Sequence, residues 1–377
     1  MRIGLMVYDS LDTRSGGYLY DRMLVRGLTR LGHAVTPISL PGGAYPRRIA
    51  RGLQLGICRH LLAGGFDVLV QDELCHPSLV LVNRRLRRQG GPTVVALIHH
   101  LLSREPRPRW QSTLLAVVER RYLASVDGFI HNSQTTRRAV AALVGGGRPE
   151  VVAYPAGNRF ADLPSPETIA KRAMRTGALE LLFLGMAIPR KGLLPVLKAL
   201  SRVDRSCWRL SVVGNLAVDP AYVAEARRLV RRLGLSDSVR FHGFLQDHEL
   251  AEVLRASHLL CMPFAYEGFG IVFLEAMAFG LPTLGSREGA AGETIRHGIN
   301  GCLLAPDDLE GAAALVAGLH HDREALQRMS LAARTTYAGR PTWRESAARI
   351  DGFLRKMTGA QPQGNATDQR RGTNAAR

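Results

Sequence analysis

Glu267-Gly-Phe-Gly-Ile-Val-Phe-Leu-Glu275-Ala-Met277 is the most informative stretch of this 377-residue chain. Two glutamates stand eight positions apart. The first precedes a Gly-Phe-Gly turn. The second lies inside an apolar run that reads as a helix over 271–279 and stops at Gly280-Leu-Pro282. Eight residues of helix is just over two turns, so a carboxylate inside the helix can face the same cleft as one at its mouth. The helix start between them carries unpaired backbone N–H groups, and Gly268 and Gly270 let a ligand approach that backbone. Such an end attracts phosphate. An anion cradle flanked by two acceptors for sugar hydroxyls is what a nucleotide-activated sugar requires.

Short apolar segments alternate with helical ones on either side of this stretch. After residue 178, strands are expected at 181–184, 208–213, 239–241, 259–262, 283–284 and 301–304, with helices at 191–200, 220–233, 248–256, 308–319 and 323–336 around the one already named. Before residue 153, strands are expected at 3–8, 34–39, 68–71, 93–98 and 128–131, with helices at 18–30, 47–62, 77–87, 111–124 and 134–143. Strands divided by helices argue for parallel sheets covered on both faces. The Pro-containing, weakly apolar segment between the halves reads as a linker. The expected fold is therefore α/β, with two doubly wound Rossmann-like domains facing a cleft. Residues 1–152 form an acceptor-binding domain, 153–178 the linker, 179–341 a nucleotide-sugar-binding domain, 342–357 a final helix and 358–377 a disordered tail. Ligands of open α/β sheets bind at the carboxyl ends of the strands.

Several polar residues fall at such ends. Gly16-Gly17 opens the first helix, where a small residue lets a ligand come close; a tight turn is the plain alternative. No G-x-G-x-x-G occurs, which speaks against a dinucleotide cofactor. His99 and His100 end the strand 93–98, and either imidazole can bond a hydroxyl or a phosphate. Asp72, Glu73 and His76 follow the third strand as an acceptor site or a solvated loop. Arg190-Lys191-Gly192 opens a helix in the second half, where two cations suit a diphosphate and stabilise charge on a leaving group. Gly214 and Gly243 end further strands, as backbone lining a nucleotide or as ordinary turns. Glu275 sits among Val272, Phe273, Leu274, Ala276 and Met277, where a carboxylate needs a partner and a ribose diol would be one.

The formal net charge is +18. Residues 1–160 hold 22 arginines and 10 acidic residues, an excess of +12 in the first half. Such a surface attracts anionic lipid, nucleic acid or an acidic substrate, unless arginine simply fills solvated helix faces. Aromatic residues are not interleaved with the arginines and no recognition motif occurs, so nucleic acid is not the expected partner. Five scattered cysteines without C-x-x-C spacing read as reduced core thiols in a cytosol. The start, Met1 to Tyr8, reads as a buried strand, too short for a signal peptide, and no apolar run is long enough to cross a bilayer. No Asp-x-Asp and no His/Cys metal spacing occurs, so neither a metal nor another cofactor is expected.

Taken together, these residues resemble the family-4 retaining glycosyltransferases of the GT-B architecture. The resemblance is carried by Glu267-x7-Glu275 with Gly268-Phe-Gly270, by Arg190-Lys191-Gly192, by Val213-Gly214 and by His99 after its strand. It implies that the last helix crosses back to the first domain and that the transfer retains anomeric configuration. It implies that Glu267 contacts the donor sugar, Glu275 holds the ribose, and Arg190 and Lys191 neutralise the diphosphate. The amides at Phe269, Gly270 and Ile271 would touch the donor's sugar or phosphates, Gly16-Gly17 would lie under the acceptor and the diphosphate, and His99 would bond the transferred sugar. Many members carry an arginine directly after the glycine that ends the first strand of the second domain; here Met186 follows Gly185. The expected protein is a cytoplasmic, membrane-peripheral enzyme using a UDP- or GDP-sugar and an anionic or lipid-linked acceptor. A basic nucleic-acid-binding protein and a catalytically silent nucleotide-sugar sensor are the alternatives.

Overall fold

The computed structural model describes residues 1–13, 15–263 and 266–360. The first sheet holds β1 (Arg2–Tyr8), β2 (Ala34–Leu40), β3 (Val68–Asp72), β4 (Thr93–Ile98), β5 (Gly128–His131) and β6 (Glu150–Val152). Their connections hold α1 (Gly16–Arg30), α2 (Tyr45–Arg51), α3 (Leu55–Ala63), α4 (His76–Arg88), α5 (Arg109–Leu123) and α6 (Gln134–Val144). After α7 (Pro166–Ala173) the second sheet holds β7 (Leu179–Leu184), β8 (Trp208–Val213), β9 (Val239–Gly243), β10 (Leu259–Met262), β11 (Thr283–Ser286) and β12 (Gly301–Leu304). Around it lie α8 (Leu193–Leu200), α9 (Pro220–Arg232), α10 (Asp247–Ala256), α11 (Ile271–Ala278), α12 (Leu309–His321) and α13 (Arg323–Ala338), and the chain closes with α14 (Trp343–Thr358).

Both sheets have six strands, in the orders β2-β1-β3-β4-β5-β6 and β12-β11-β10-β7-β8-β9, and the strand pairs are parallel. The expected pair of doubly wound Rossmann-like units is what the chain forms. Strand order reverses between β1 and β3 in the first sheet and between β7 and β10 in the second. Loops leaving neighbouring strands in opposite directions open a crevice at each reversal. Gly16-Gly17 and Asp72-Glu73 lie at the first, and Arg190-Lys191 and Glu267 at the second.

α14 crosses back onto the first sheet, where Trp343, Ile350, Phe353 and Leu354 join a core with Leu24 and Leu28 of α1. A Cβ on Gly27 would stand 2.4 Å from the Cβ of Ala347, so the two helices meet where one side chain is absent. The stretch 269–277 serves two cores. Phe273, Ala276 and Met277 pack in the second domain, while Phe269, Ile271 and Leu274 pack with the first-domain core and α14.

Three sequence expectations differ from the structure. The helix expected at 47–62 is two, because Gly52 ends α2 and its backbone lies against the Ser78 carbonyl. β6, only three residues long, was not anticipated. The linker 153–178 contains α7, capped by Ser165 with Pro166 at its first turn; its two apolar anchors, Ile169 and Ala173, are fully buried, and α7 packs on α13. Thr358 ends α14, and the expected disordered tail falls, from residue 361, outside the described residues.

Candidate active site at the domain interface

Gly270, with φ of 84°, caps α11 and turns the chain into the helix. Before it, Gly268 is pressed on the first domain: a Cβ there would fall 1.8 Å from the His99 carbonyl oxygen. On its other side the turn is pinned by Ala290, whose N–H donates to the Glu267 carbonyl at 2.9 Å. Glu267 is thus fixed by backbone on both sides.

Its carboxylate meets the two cations expected near it. Lys191 Nζ donates to Oε2 at 2.5 Å, and Arg190 Nη1 donates to the same oxygen at 3.2 Å and to the Tyr266 carbonyl at 2.9 Å. Gly192, at φ 81°, sends the chain from the Arg190-Lys191 turn into α8. Burial pushes the Glu267 pKa up, but Lys191 and Arg190 outweigh it and hold the group at about 2. Burial lowers the Lys191 pKa and Glu267 opposes that shift only in part. A carboxylate, an ammonium and a guanidinium thus converge at the second strand-order reversal.

The network continues into the first domain. Arg190 Nε lies 3.4 Å from Oε1 of Glu105, and that oxygen lies 3.0 Å from His100 Nε2. Burial opposes ionisation of Glu105, yet His100 and Arg190 bring it down to about 2. His100 Nδ1 stands 3.9 Å from Glu73, whose other oxygen accepts the His99 N–H at 2.7 Å.

His99 sits differently from expectation. Its ring turns toward α1, with Nε2 3.0 Å from Asp21 Oδ1 and the ring against Gly17 and Tyr20; only its carbonyl faces Gly268. A Cβ at Gly17 would touch this imidazole at 3.4 Å, an ordinary contact, and one at Gly16 would meet nothing. Burial depresses the His99 pKa, but Asp21, Asp72 and Glu73 raise it to about 10. Asp72 is lifted to about 7 by burial and by Asp21, and burial with Asp72 raises Glu73. One donor atom each from Asp21, Asp72 and His99 lies within 4.8 Å of the others.

Asp72, Glu73 and His76 are neither an open acceptor surface nor a solvated loop: they are 1, 3 and 1 % exposed. His76 Nε2 is paired with the Tyr45 hydroxyl at 2.7 Å. All three belong to the inner wall of the first domain, where Glu73 supports the loop carrying His99 and His100 while Asp72 accepts from the Leu74 N–H. Glu275 is buried as expected, but Arg159 of the linker occupies it at 2.5 Å and also reaches Asp247 at 2.5 Å. Phe269 and Ile271 are core side chains. Gly214 lies against Gly185, with its N–H on the Gly243 carbonyl at 2.8 Å, so these three glycines let the strand ends of the second sheet touch.

Sequence reasoning missed Asp21, Glu105, Arg159 and Glu293. Asp21 had a signal: it interrupts the apolar stripe Tyr18, Leu24, Leu28 on α1. Glu105, an acid amid Arg104, Arg107 and Arg109, had a weaker one. Arg159 and Glu293 had none, because the side-chain partners of each are 88 or more residues away.

Comparison with known proteins agrees with this architecture. Residues 165–336 match the family of glycosyl transferases group 1. A glycogen synthase of Mycobacterium tuberculosis is 32% identical over 225 residues, 59% of this chain and 52% of that protein, so the match spans about half of that relative's length. The MMP alpha-(1->4)-mannosyltransferase of Mycolicibacterium hassiacum is 27% identical across 92% of this chain and 96% of its own. Among solved structures, the sucrose-phosphate synthase of Thermosynechococcus elongatus superposes with a TM-score of 0.79 at 20% identity, covering 96% of this chain and all of that one. The Anabaena HepE protein in complex with UDP gives 0.74 at 19% identity, over 94% of this chain and 100% of its own. Residues 165–336 are thus a group 1 glycosyl transferase domain, set in a chain of GT-B architecture and consistent with the family-4 resemblance.

Proposed function

We propose that the protein transfers a sugar from a nucleotide-diphosphate donor to an acceptor hydroxyl, with retention, in polysaccharide or glycolipid assembly. The observation that carries this reading is the convergence of Lys191, Arg190 and Glu267 beside the N-terminus of α11. The two cations neutralise the diphosphate as it leaves, with backbone N–H groups of α11 as further donors. With them in place the reaction needs no metal. In the structure Glu267 holds both cations; an arriving diphosphate takes over that pairing and frees the carboxylate to accept from a sugar hydroxyl. Arg190 supplies the charge that Met186 does not. Arg159 shares Glu275 with the ribose or gives way to it.

The domains meet tightly here, with Gly268 on the His99 carbonyl and Arg190 near Glu105, so the donor enters an opened form that closes around it. His99 acts through its carbonyl and by supporting His100. Retention rests on the family-4 resemblance. The choice between UDP and GDP stays with the test: one relative, in Mycobacterium tuberculosis, is named a GDP-mannose-dependent mannosyltransferase, whereas the Anabaena protein was solved with UDP. No helix among the described residues is long and apolar enough to cross a membrane, and the reading is of a cytoplasmic enzyme working at a membrane surface.

A thermal-shift panel of nucleotides and nucleotide sugars tests the proposal. A ligand at 100 times its Kd stabilises by about 2.7 kcal/mol. One UDP- or GDP-sugar should raise the melting point, and Lys191→Ala should erase the rise. A panel without any shift, or a shift untouched by Lys191→Ala, overturns the assignment.

A further inference from the structure

Helix α5 is unusual for its length. Of its fifteen residues only Glu119, Tyr122 and Leu123 are buried, all in the last five; the first ten are half-buried or exposed. Their exposed face is not polar. Trp110 is 64 % exposed, Leu114 60 % and Val117 38 %, at i, i+4 and i+7, which puts them on one face. An apolar stripe of this kind left in water costs free energy unless something covers it.

The charges around the stripe are of one sign. Arg104, Arg107 and Arg109 lead into it, and Arg120 and Arg121 follow, all exposed. The two acids of the same segment are engaged: Glu119 is 2 % exposed and bonded to Ser103, and Glu105 is held by His100, Arg190 and Arg107, which leaves Arg104, Arg109, Arg120 and Arg121 as the cations bordering the stripe. The short helix α2 behaves alike. It has no buried residue; Ile49 stands out on it and Leu53 in the turn that follows, with Arg47 exposed nearby in sequence. No acidic residue occurs between Arg22 and Phe66. α2 is linked to the C-terminal end of α5 through α4, in a stack where the Tyr45 ring packs on His76 and His76 on Tyr122.

We propose that the exposed face of the N-terminal half of α5, together with the basic, unburied α2, docks the first domain on an anionic lipid bilayer. A helix with tryptophan and leucine on one face and arginine at its borders lies in the plane of a membrane interface, ring and aliphatic groups in the acyl boundary and guanidinium groups on the lipid phosphates. Polar partners such as nucleic acid would use the arginines and leave the stripe wet. The position suits the site, because Glu105, four residues before α5, touches Arg190. A docked α5 would hold the cleft over the bilayer, where a lipid-anchored acceptor presents its head group. This use rests on the glycosyl-transfer reading; the docking itself does not.

The test is therefore made without turnover. The whole chain is floated with vesicles of phosphatidylcholine alone or of equal parts phosphatidylcholine and phosphatidylglycerol. Recovery with the mixed vesicles should exceed that with neutral ones by at least about tenfold. Trp110→Ser combined with Leu114→Glu should abolish the excess, while Ile299→Ser, an exposed apolar residue on the second domain, should not. Trp208 and Trp343 are buried, so a blue shift of tryptophan emission on binding, absent in Trp110→Phe, locates the contact. Equal recovery with both vesicles, or a double variant that floats like the parent, overturns the proposal. A parent dimer that Leu114→Glu splits into monomers would assign this face to a second copy and overturn it too.

Discussion

Lys191 Nζ and Glu267 Oε2 lie 2.5 Å apart, a short ion pair between loops that leave adjacent strands of one sheet. A buried pair of this kind adds little stability over an apolar pair but leaves a costly charge when one partner is lost. Lys191→Ala should therefore destabilise by about 2–4 kcal/mol and lower transfer at least tenfold. The double variant Lys191→Met with Glu267→Gln should regain most of the stability and none of the activity. Urea unfolding and turnover on the same three proteins separate the two effects. Full activity in Glu267→Gln would remove the carboxylate from the mechanism.

The pH dependence of stability should come from the first domain. Asp72 rises from its ordinary 3.8 to about 7, so the folded state keeps a proton that the unfolded chain has lost. Stability from this group is full below 3.8 and declines as pH climbs through 7. His99, raised from 6.5 to about 10, extends the decline to alkaline pH. Glu267 has the opposite sign: held at about 2, it stabilises above 4.5 and loses that only on strong acidification. Asp72→Asn should flatten the melting-point profile between pH 4 and 7 and also soften the alkaline part, because the Asp72 charge helps to raise His99. Parallel profiles for parent and variant would show that the proton sits elsewhere.

Packing of α14 on α1 should be sensitive to single carbons. Gly27→Ala puts a methyl 2.4 Å from Ala347 Cβ, which forces the helices apart and costs about 1–3 kcal/mol by overpacking. Gly27→Leu should cost more. Ala347→Gly in the Gly27→Ala background should recover part of the loss, and a double-mutant cycle in urea measures that coupling. Strict additivity of the two changes would mean the helices do not meet there.

The two-domain plan was legible because buried parallel strands hold continuous apolar runs, as in Leu181–Leu184 and Val94–Ile98. Glu267, Arg190 and Lys191 were legible because catalytic loops of such sheets follow strand ends, and their charges lie next to glycines. What escaped depends on contacts across the chain. His99 follows its strand as expected, but which way the ring turns is decided by Asp21, 78 residues earlier. Glu275 advertised a buried partner, yet nothing near it in sequence named Arg159. α7 carries two apolar anchors in eight residues, too few for a periodic signal, and gains its helix from Ser165, Pro166 and burial against α13.

Glu293 crosses the domain interface and caps α6. Its carboxylate accepts from the backbone N–H of Gln134 at 2.9 Å, from that of Thr135 at 2.7 Å and from the Thr135 hydroxyl at 2.7 Å. A carboxylate on a helix N-terminus meets both bare donors and the positive end of the dipole. Arg340, just before α14, donates to the Glu293 carbonyl and steadies the turn. Each charge-assisted bond contributes about 1.5–3 kcal/mol when intact, enough to bias the two domains toward closure. Glu293→Ala should shift the population toward open molecules, seen as a larger radius of gyration in solution scattering. The apparent KM for the donor should then rise several-fold, since only the closed fraction holds it productively. A scattering curve identical to the parent's would mean that packing of Phe269, Ile271 and Leu274 alone keeps the domains together.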